Sequence, residues 1–549
     1  MPGRSTAILC AAIACAFTAF FWRQGERFLD ANGPTFDECV HLAAGHSYWT
    51  AGDFRMNNED PPLLKLWWAL PLVVDPPADW HPTHSEGNHW QAGIEFLYHS
   101  GVPHQEPLRP ARRMNLLFGS GIVLLAGWWA RRLWQSWLAG ITACGFAACD
   151  PNLLAISCVL STDAGFALFA LLSSYLLWEY AANPNRVLLL ATGVSLGLML
   201  AAKLSAIAMI GGFAAAGCVY LLRGGVLALP EAAPVRLRRA AKLRLAVDLV
   251  FRLLVIALIV LAATYGFVHF DEWGRGLKFQ FTRAEHGDGR FFLDGAISKT
   301  GWLHYFLVVM AVKLPLGLLA AAALAFLRSR ASVPCFFAVP PIVFFAAASV
   351  ARVDLGIRVV LPAIAFLYVL AGGLSAPGAW RCLRMAMLGA CLAWAGYAAA
   401  TEGSDPIAYF NELGKSQPNL VADSNVDWGQ GLPRLREYMQ RERLDAVYLS
   451  YFGTDRPEAY GIRFQALPGY GRVGPPGGEA IPRDAPRHVV AISINNLLGI
   501  YLNDPATFAF LRSRPPTAML GGSVAIYDLT GDDAAIDRLR SGNPVAIRQ

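Results

Sequence analysis

Charge is scarce in this 549-residue chain: 16% of its residues are Asp, Glu, Lys or Arg, 55% are hydrophobic, and mean hydropathy is +0.38. So low a charged fraction excludes a soluble chain of this size and points to a membrane. Cysteine is missing after Cys391, and Cys10, Cys15, Cys144, Cys149, Cys218, Cys335 and Cys391 lie within apolar segments. Neither a disulfide framework nor a CxxC metal motif follows from that pattern. The apolar stretch 5–22 ends in Phe20-Phe21-Trp22-Arg23, without a small-residue cleavage site, so it reads as an uncleaved first span. No internal repeat is visible, which argues against a transporter built from two halves. The net charge of +6 is modest, and the arginines cluster in short loops between apolar runs, which suits positive-inside topology and not a nucleic-acid partner.

Apolar runs long enough to cross ~30 Å of hydrocarbon dominate the first 400 residues. After the first span, residues 23–109 carry 12 Asp or Glu against 5 Lys or Arg, an excess that suits the outer face. Spans are expected near 112–130, 133–149 and 153–181, the last beginning along the interface so that Asp163 sits at its outer mouth. Residues 187–222 suffice for a hairpin broken near Lys203, because a lysine in mid-bilayer costs at least ~2.5 kcal/mol. The basic segment 223–246 is an inner loop. A span at 247–269 leads to an outer loop at 270–303, and spans near 305–327, 333–350, 357–376 and 384–400 complete about eleven. Odd parity puts residues 401–549 outside. There apolar runs shorten, 447–451 and 488–492 read as strands and Leu432–Arg443 as a helix, so a small C-terminal α/β domain is expected.

Two acidic pairs stand just outside the first span, Asp37-Glu38 and Glu59-Asp60, the second followed by Pro61-Pro62, which restrict the local backbone. Lys65, Arg112, Lys203, Lys313 and Arg358 all fall near expected outer interfaces. A carboxylate that takes a hydroxyl proton, beside fixed cations that meet a phosphate at lipid-headgroup depth, is the chemistry this combination offers.

The order of these motifs resembles glycosyltransferase family 39, which includes protein O-mannosyltransferases and lipid A aminoarabinose transferases. The likeness rests on Phe36-Asp37-Glu38, Gly52-Asp53-Phe54-Arg55, Glu59-x-Pro61-Pro62-Leu63-x-Lys65, Ser161-Thr162-Asp163, and Leu196-Gly197-Leu198 with Ala202-Lys203. It covers roughly residues 1–370. It implies a polytopic α-helical membrane protein of GT-C-like fold whose catalytic domain spans 1–400, with first outer loop 23–111, and an extracytoplasmic extension over 401–549. It further implies a polyprenyl-phosphate sugar donor, undecaprenyl phosphate in bacterial members, and a protein, lipid or envelope-glycan acceptor at the bacterial cytoplasmic (inner) membrane. Asp37 would be the base, Asp163 a second essential acid in the cavity and Lys65 a phosphate contact. Glu38 joins the catalytic set, Arg112, Lys203, Lys313 and Arg358 the phosphate-binding set, and Glu59, Asp60, His41 and His286 the cavity. Where relatives often carry Lys or His before the paired prolines, this chain has Asp60. The segment Ala422-Asp423-Ser424-Asn425-Val426-Asp427-Trp428-Gly429-Gln430 resembles a motif of the C-terminal extension in some bacterial members, and the extension itself is a candidate acceptor-docking module.

Plainer readings accompany each choice. Asp37-Glu38 and Asp163 can cap helices, Lys203 can snorkel, and Lys313 and Arg358 can be positional anchors. Asp37 and His41, four residues apart, are compatible with a divalent-metal pair, though no third ligand is evident and no cofactor is implied. His286 reads as a loop residue, and Trp67-Trp68 and Trp128-Trp129 as interfacial belt residues. Rival functions are a flippase for lipid-linked sugars and a glycan-binding envelope protein without activity.

Overall fold

The computed structural model describes residues 4–82, 88–223, 235–286, 289–329, 333–376, 380–417, 419–470 and 478–541. Helix α1 (Arg4–Ala31) runs two turns past the apolar stretch. Its polar end persists because Glu26 accepts from Arg109 at 2.9 Å and from Arg113 at 2.8 Å. The acidic segment that follows is helical, not a loop: α2 (Glu38–Thr50), α3 (Leu63–Val74) and α4 (His89–Tyr98) fold against one another. Gly45 makes this possible, since a Cβ there would collide with the Lys65 carbonyl of α3.

Helix α5 (Gln105–Trp134) has 30 residues, about 45 Å at 1.5 Å each, enough to cross with arginines at both ends. Next come α6 (Trp137–Ala148) and the short α7 (Pro151–Ser157), bent by 64° at the Asp150 turn, and α8 (Thr162–Ala182), which starts at Asp163's motif. Helices α9 (Arg186–Ala202) and α10 (Ala206–Leu222) are the expected hairpin, and Lys203 sits at the break in extended backbone. Then follow α11 (Val235–Thr264) and α12 (Asp271–His286). Of the basic loop expected at 223–246, residues 224–234 lie outside the described residues and 235–246 are the first turns of α11. Helix α12 takes up nearly half of the expected 270–303 loop, and its acidic first residues suit a helix N-terminus. A hairpin of β1 (Phe291–Leu293) and β2 (Ala296–Ser298) ends that segment.

The remaining bundle is α13 (Tyr305–Lys313), α14 (Leu316–Ser329), α15 (Cys335–Ala351), α16 (Leu361–Gly372) and α17 (Arg381–Thr401). Helices α13 and α14 meet at 113°, so the run read as one span at 305–327 is broken before Pro315, which cannot donate a backbone N–H. Among the described residues five helices are long and apolar enough to cross a bilayer, or seven if each bent pair is one crossing. The count of about eleven taken from apolar runs is larger because α9, α10 and α15, of 17 residues each, fall just short in length and α5 carries too much charge at its ends.

The C-terminal part is the expected α/β module. A turn α18 (Glu412–Lys415) and the amphipathic helix α19 (Leu432–Arg441) precede β3 (Val447–Ser450), β4 (Phe464–Ala466) and β5 (Val489–Ser493). The single turns α20 (Ile494–Leu497) and α21 (Ala509–Arg512), strands β6 (Ala518–Leu520) and β7 (Val524–Asp528), and α22 (Asp533–Ser541) complete it. The sheet order is β4-β3-β5-β7-β6, with β3 parallel to β4 and β5, and β7 antiparallel to both its neighbours. Strands β3 and β5 are buried throughout, as their unbroken apolar runs require.

This module is grafted onto the bundle through side chains. Phe292 of β1 belongs to its core, while Ile407, Val421 and Trp428 belong to the core of the bundle. At one corner Asp455 accepts from the hydroxyls of Tyr98 on α4 and, at 2.8 Å, Tyr460, and Tyr460 also meets His104 Nε2 at 2.9 Å. Burial pushes the Asp455 carboxyl up to about 7. The native state then holds a proton that the unfolded chain, with an aspartate near ~3.9, releases. Stability from this site is therefore full below ~4 and declines as pH rises through about 7. Thermal midpoints in detergent from pH 4 to 8 will show that decline in the wild type, and Asp455→Asn will flatten it.

Candidate active site

The turn 32–37 between α1 and α2 brings Asp37 and Glu38 to the same end of the bundle, yet gives them opposite environments. Glu38 is wholly buried. Its Oε1 accepts from Arg112 Nε at 2.9 Å and from the Leu160 N–H at 2.9 Å, and its Oε2 from Arg112 Nη2 at 2.6 Å and the Thr35 N–H at 2.7 Å. Arg112 also donates to the Asn32 and Gly33 carbonyls at 3.0 and 2.7 Å, so that four of its five N–H groups are in hydrogen bonds. Both side chains are fully buried and the Glu38 oxygens accept two bonds each, so neither group is presented to a substrate or a phosphate. Both expected roles are corrected: the two residues hold the turn.

Asp37 is half-buried and stands at the N-cap position of α2 without making a side-chain cap bond. Its Oδ2 accepts from the Trp428 indole N–H at 3.2 Å. The capping reading therefore fails for Asp37, whose carboxylate faces outward from the helix end.

Lys65 and Lys313, both expected at a phosphate, are spent on backbone. Lys65 Nζ donates to the Asn57 carbonyl at 2.5 Å, the Asn57 side chain at 3.1 Å and the Asp60 carbonyl at 2.8 Å, which ties down the 57–60 loop. Lys313 Nζ donates to the Ile407 carbonyl at 2.9 Å and the Asn425 carbonyl at 2.6 Å. Both ammonium groups are buried, and burying a charge is tolerable only with such partners. They are structural staples.

Lys203 and Arg358 are different. Lys203 pairs with Asp163 Oδ1, and Arg358 Nη1 lies 3.6 Å from Asp163 Oδ2, which also accepts from Ser161 Oγ at 2.6 Å. The side chains of Lys203 and Arg358 keep 20% and 19% of their exposure while Asp163 keeps 1%. The cap of α8 is Ser161, which accepts from the Asp163 N–H, so the Asp163 carboxylate instead gathers two cations and leaves part of each to solvent. Arg358 lies in the electrostatic field of Asp163, Asp37, Asp423 and Asp60 together, and its guanidinium is 4.4 Å from the Trp428 ring centroid.

Beside this cluster His41 Nδ1 meets the Leu160 carbonyl at 2.6 Å, which makes Nδ1 the protonated nitrogen and leaves Nε2 toward Asp60 Oδ2 at 3.8 Å. Glu59 and Asp60 lie under α12: Gln280 donates to the Glu59 carbonyl at 3.1 Å and Asn58 to Glu272 at 3.1 Å. Gly276 permits the approach, since a Cβ there would collide with the Asn58 carbonyl. The His286 side chain lies outside the described residues. Among the described residues no three His, Cys, Asp or Glu side chains group as metal ligands. Trp68 and Trp129 are fully buried, so they are core and not belt, whereas Trp67 and Trp128 are exposed.

Trp428 is the participant that residue type alone did not flag. Its segment 422–430 stood out as a motif without a role, and here it threads between module and bundle. Ser424 donates to the Leu355 carbonyl at 2.6 Å, Asn425 accepts from the Ile357 N–H at 3.0 Å, and the Phe36 N–H donates to the Trp428 carbonyl at 2.8 Å.

The site therefore combines a half-buried carboxylate, Asp37, with two part-exposed cations, Lys203 and Arg358, where the helical bundle meets the α/β module. Residues 16–273, a little under half of the chain, match the family model described as dolichyl-phosphate-mannose-protein mannosyltransferase. The resemblance to glycosyltransferase family 39 is thereby borne out over the segment that carries Asp37, Lys65, Asp163 and Lys203. Among solved structures, ArnT from Cupriavidus metallidurans bound to undecaprenyl phosphate is similar at 14% identity and a TM-score of 0.48, over 95% of this chain and 97% of that one. The S. cerevisiae protein O-mannosyltransferase Pmt1-Pmt2 complex bound to the sugar donor is similar at 19% identity and a TM-score of 0.35, over 54% of this chain and 39% of that one. No curated protein sequence matches.

The geometry separates structural from exposed charges, and mutation will do the same. Arg112→Ala leaves the Glu38 charge buried without its partner and will cost about 3–5 kcal/mol, read as a collapse of the thermal midpoint in detergent. Lys203→Ala, which leaves buried Asp163 its Arg358 and Ser161 partners, will lower that midpoint by less than Arg112→Ala does.

Proposed function

We propose that the protein transfers a sugar from a polyprenyl-phosphate donor to a hydroxyl of a protein, lipid or envelope-glycan acceptor, with inversion at the anomeric carbon. The family description names a dolichyl-phosphate sugar, which is a polyprenyl phosphate. Undecaprenyl phosphate is the carrier that the likeness of the C-terminal extension to bacterial members implies. The reaction belongs to the extracytoplasmic face of the bacterial cytoplasmic membrane, where the acidic excess of residues 23–109 puts the cavity.

One observation carries this reading: Asp37 is half-buried with a carboxylate oxygen uncommitted, and it acts electrostatically on Arg358, the cation that also pairs with Asp163 beside Lys203. Asp37 takes the proton of the acceptor hydroxyl as that oxygen attacks the anomeric carbon from the face opposite the phosphate. The bond from the anomeric carbon to the phosphate oxygen breaks, and the lipid phosphate leaves with the electron pair. Lys203 and Arg358 meet the charge that develops there, in a setting where partial desolvation strengthens the contact. Asp163 holds both cations in place without neutralising them fully, since each keeps N–H groups free of it. A single carboxylate acting as base, with no second one positioned as nucleophile, accords with one displacement and inversion. His41 and Asp60 form the neighbouring wall.

Purified protein supplied with radiolabelled undecaprenyl-phosphate hexoses and envelope acceptor material tests this directly. Asp37→Asn will lower transfer by about 10²- to 10⁴-fold, with the donor's KM little changed. Lys203→Ala and Arg358→Ala will chiefly raise that KM. Undiminished transfer by Asp37→Asn would overturn the assignment of the base, and the absence of transfer from every donor by wild type would favour a flippase or a binding protein.

A further inference from the structure

We propose that Trp428 is a positioning residue, delivered by the C-terminal module, that sets the base and the phosphate-binding cation relative to each other. The inference rests on Asp37 acting as the base. Two contacts meet on this one side chain: the indole N–H donates to Asp37 Oδ2 at 3.2 Å, and the ring face lies 4.4 Å from the Arg358 guanidinium carbon. The first orients the carboxylate so that Oδ1 is the oxygen left for the acceptor hydroxyl. The second holds a guanidinium by cation–π attraction, which consumes none of its N–H groups and so keeps them for a phosphate. A second carboxylate or amide could hold Arg358 only by occupying those donors.

The support for Trp428 is built accordingly. The indole is 6% exposed. Its backbone N–H donates to Gln430 Oε1 at 2.8 Å, and its carbonyl accepts from Phe36, the neighbour of Asp37. Gly429 follows at φ +92°, a conformation that side chains rarely adopt, with Gly453 and Phe452 too close for a Cβ. Asp427 is buried and accepts from the Gly429 N–H at 3.0 Å, and the Asp427 carbonyl accepts from Asn495 at 2.8 Å. Asp423, also at positive φ, accepts from the Tyr501 hydroxyl. These partners lie in the C-terminal module, so the loop that presents Trp428 is shaped there and inserted into the bundle. The membrane half alone lacks the group that joins Asp37 to Arg358.

Full-length Trp428→Phe, which keeps a ring on Arg358 but has no N–H, distinguishes positioning from mere packing. Its kcat will fall about tenfold with the donor's KM unchanged. Trp428→Ala, which also removes the ring, will raise the donor's KM several-fold in addition. Rates are taken per folded protein, measured by size exclusion in detergent, so a destabilised variant still gives an answer. A Trp428→Phe kcat equal to wild type, while Asp37→Asn is inactive, would overturn the proposal and leave the base intact. An active Asp37→Asn would instead overturn the reading on which it rests.

Discussion

The buried pair of Glu38 and Arg112 is the fixed point of this protein. Each charge is out of water, and each is acceptable only because every polar atom is paired: two guanidinium bonds, two backbone N–H groups and two carbonyls. The pair ties three separate pieces of chain together. Arg112 is on α5, Glu38 begins α2 beside Asp37, and the Leu160 N–H lies three residues before Asp163. The distance between Asp37 and Asp163 is thus set through one carboxylate that touches neither.

Around that point the cations divide by burial. Lys65 and Lys313 donate to backbone carbonyls and close loops, while Lys203 and Arg358 share one buried carboxylate and stay part-exposed. The division follows from desolvation. A fully buried ammonium is tolerable only when the protein supplies it with acceptors, and buried on those carbonyls it is not presented to a ligand. Chemistry with a charged lipid headgroup falls to the groups that keep some contact with water.

The C-terminal module is a working part of the same body. Lys313 of the bundle holds the Asn425 carbonyl, Tyr98 holds Asp455, and Trp428 sits among bundle residues. A boundary at residue 400 marks where apolar helices give way to short strands. Physical continuity runs through it, because the loop 422–430 takes its shape from the module and its contacts from the bundle.

Composition and apolar run length by themselves determined the membrane class, the breaks at Asp150 and Lys203, and the α/β character of the last third, since hydrophobic length and strand pattern are local properties. Motif order picked out Asp37, Lys65, Asp163 and Lys203, and position near an expected outer interface picked out Arg358. The tertiary structure alone decided that Glu38, Arg112, Lys65 and Lys313 are spent on the scaffold, that residues 271–286 form a helix against the 57–60 loop, and that Trp428 touches both Asp37 and Arg358. A charged residue looks the same in a sequence whether its hydrogen bonds go to a ligand or to carbonyls nearly a hundred residues away. Only packing assigns those partners, and with them the residue's role.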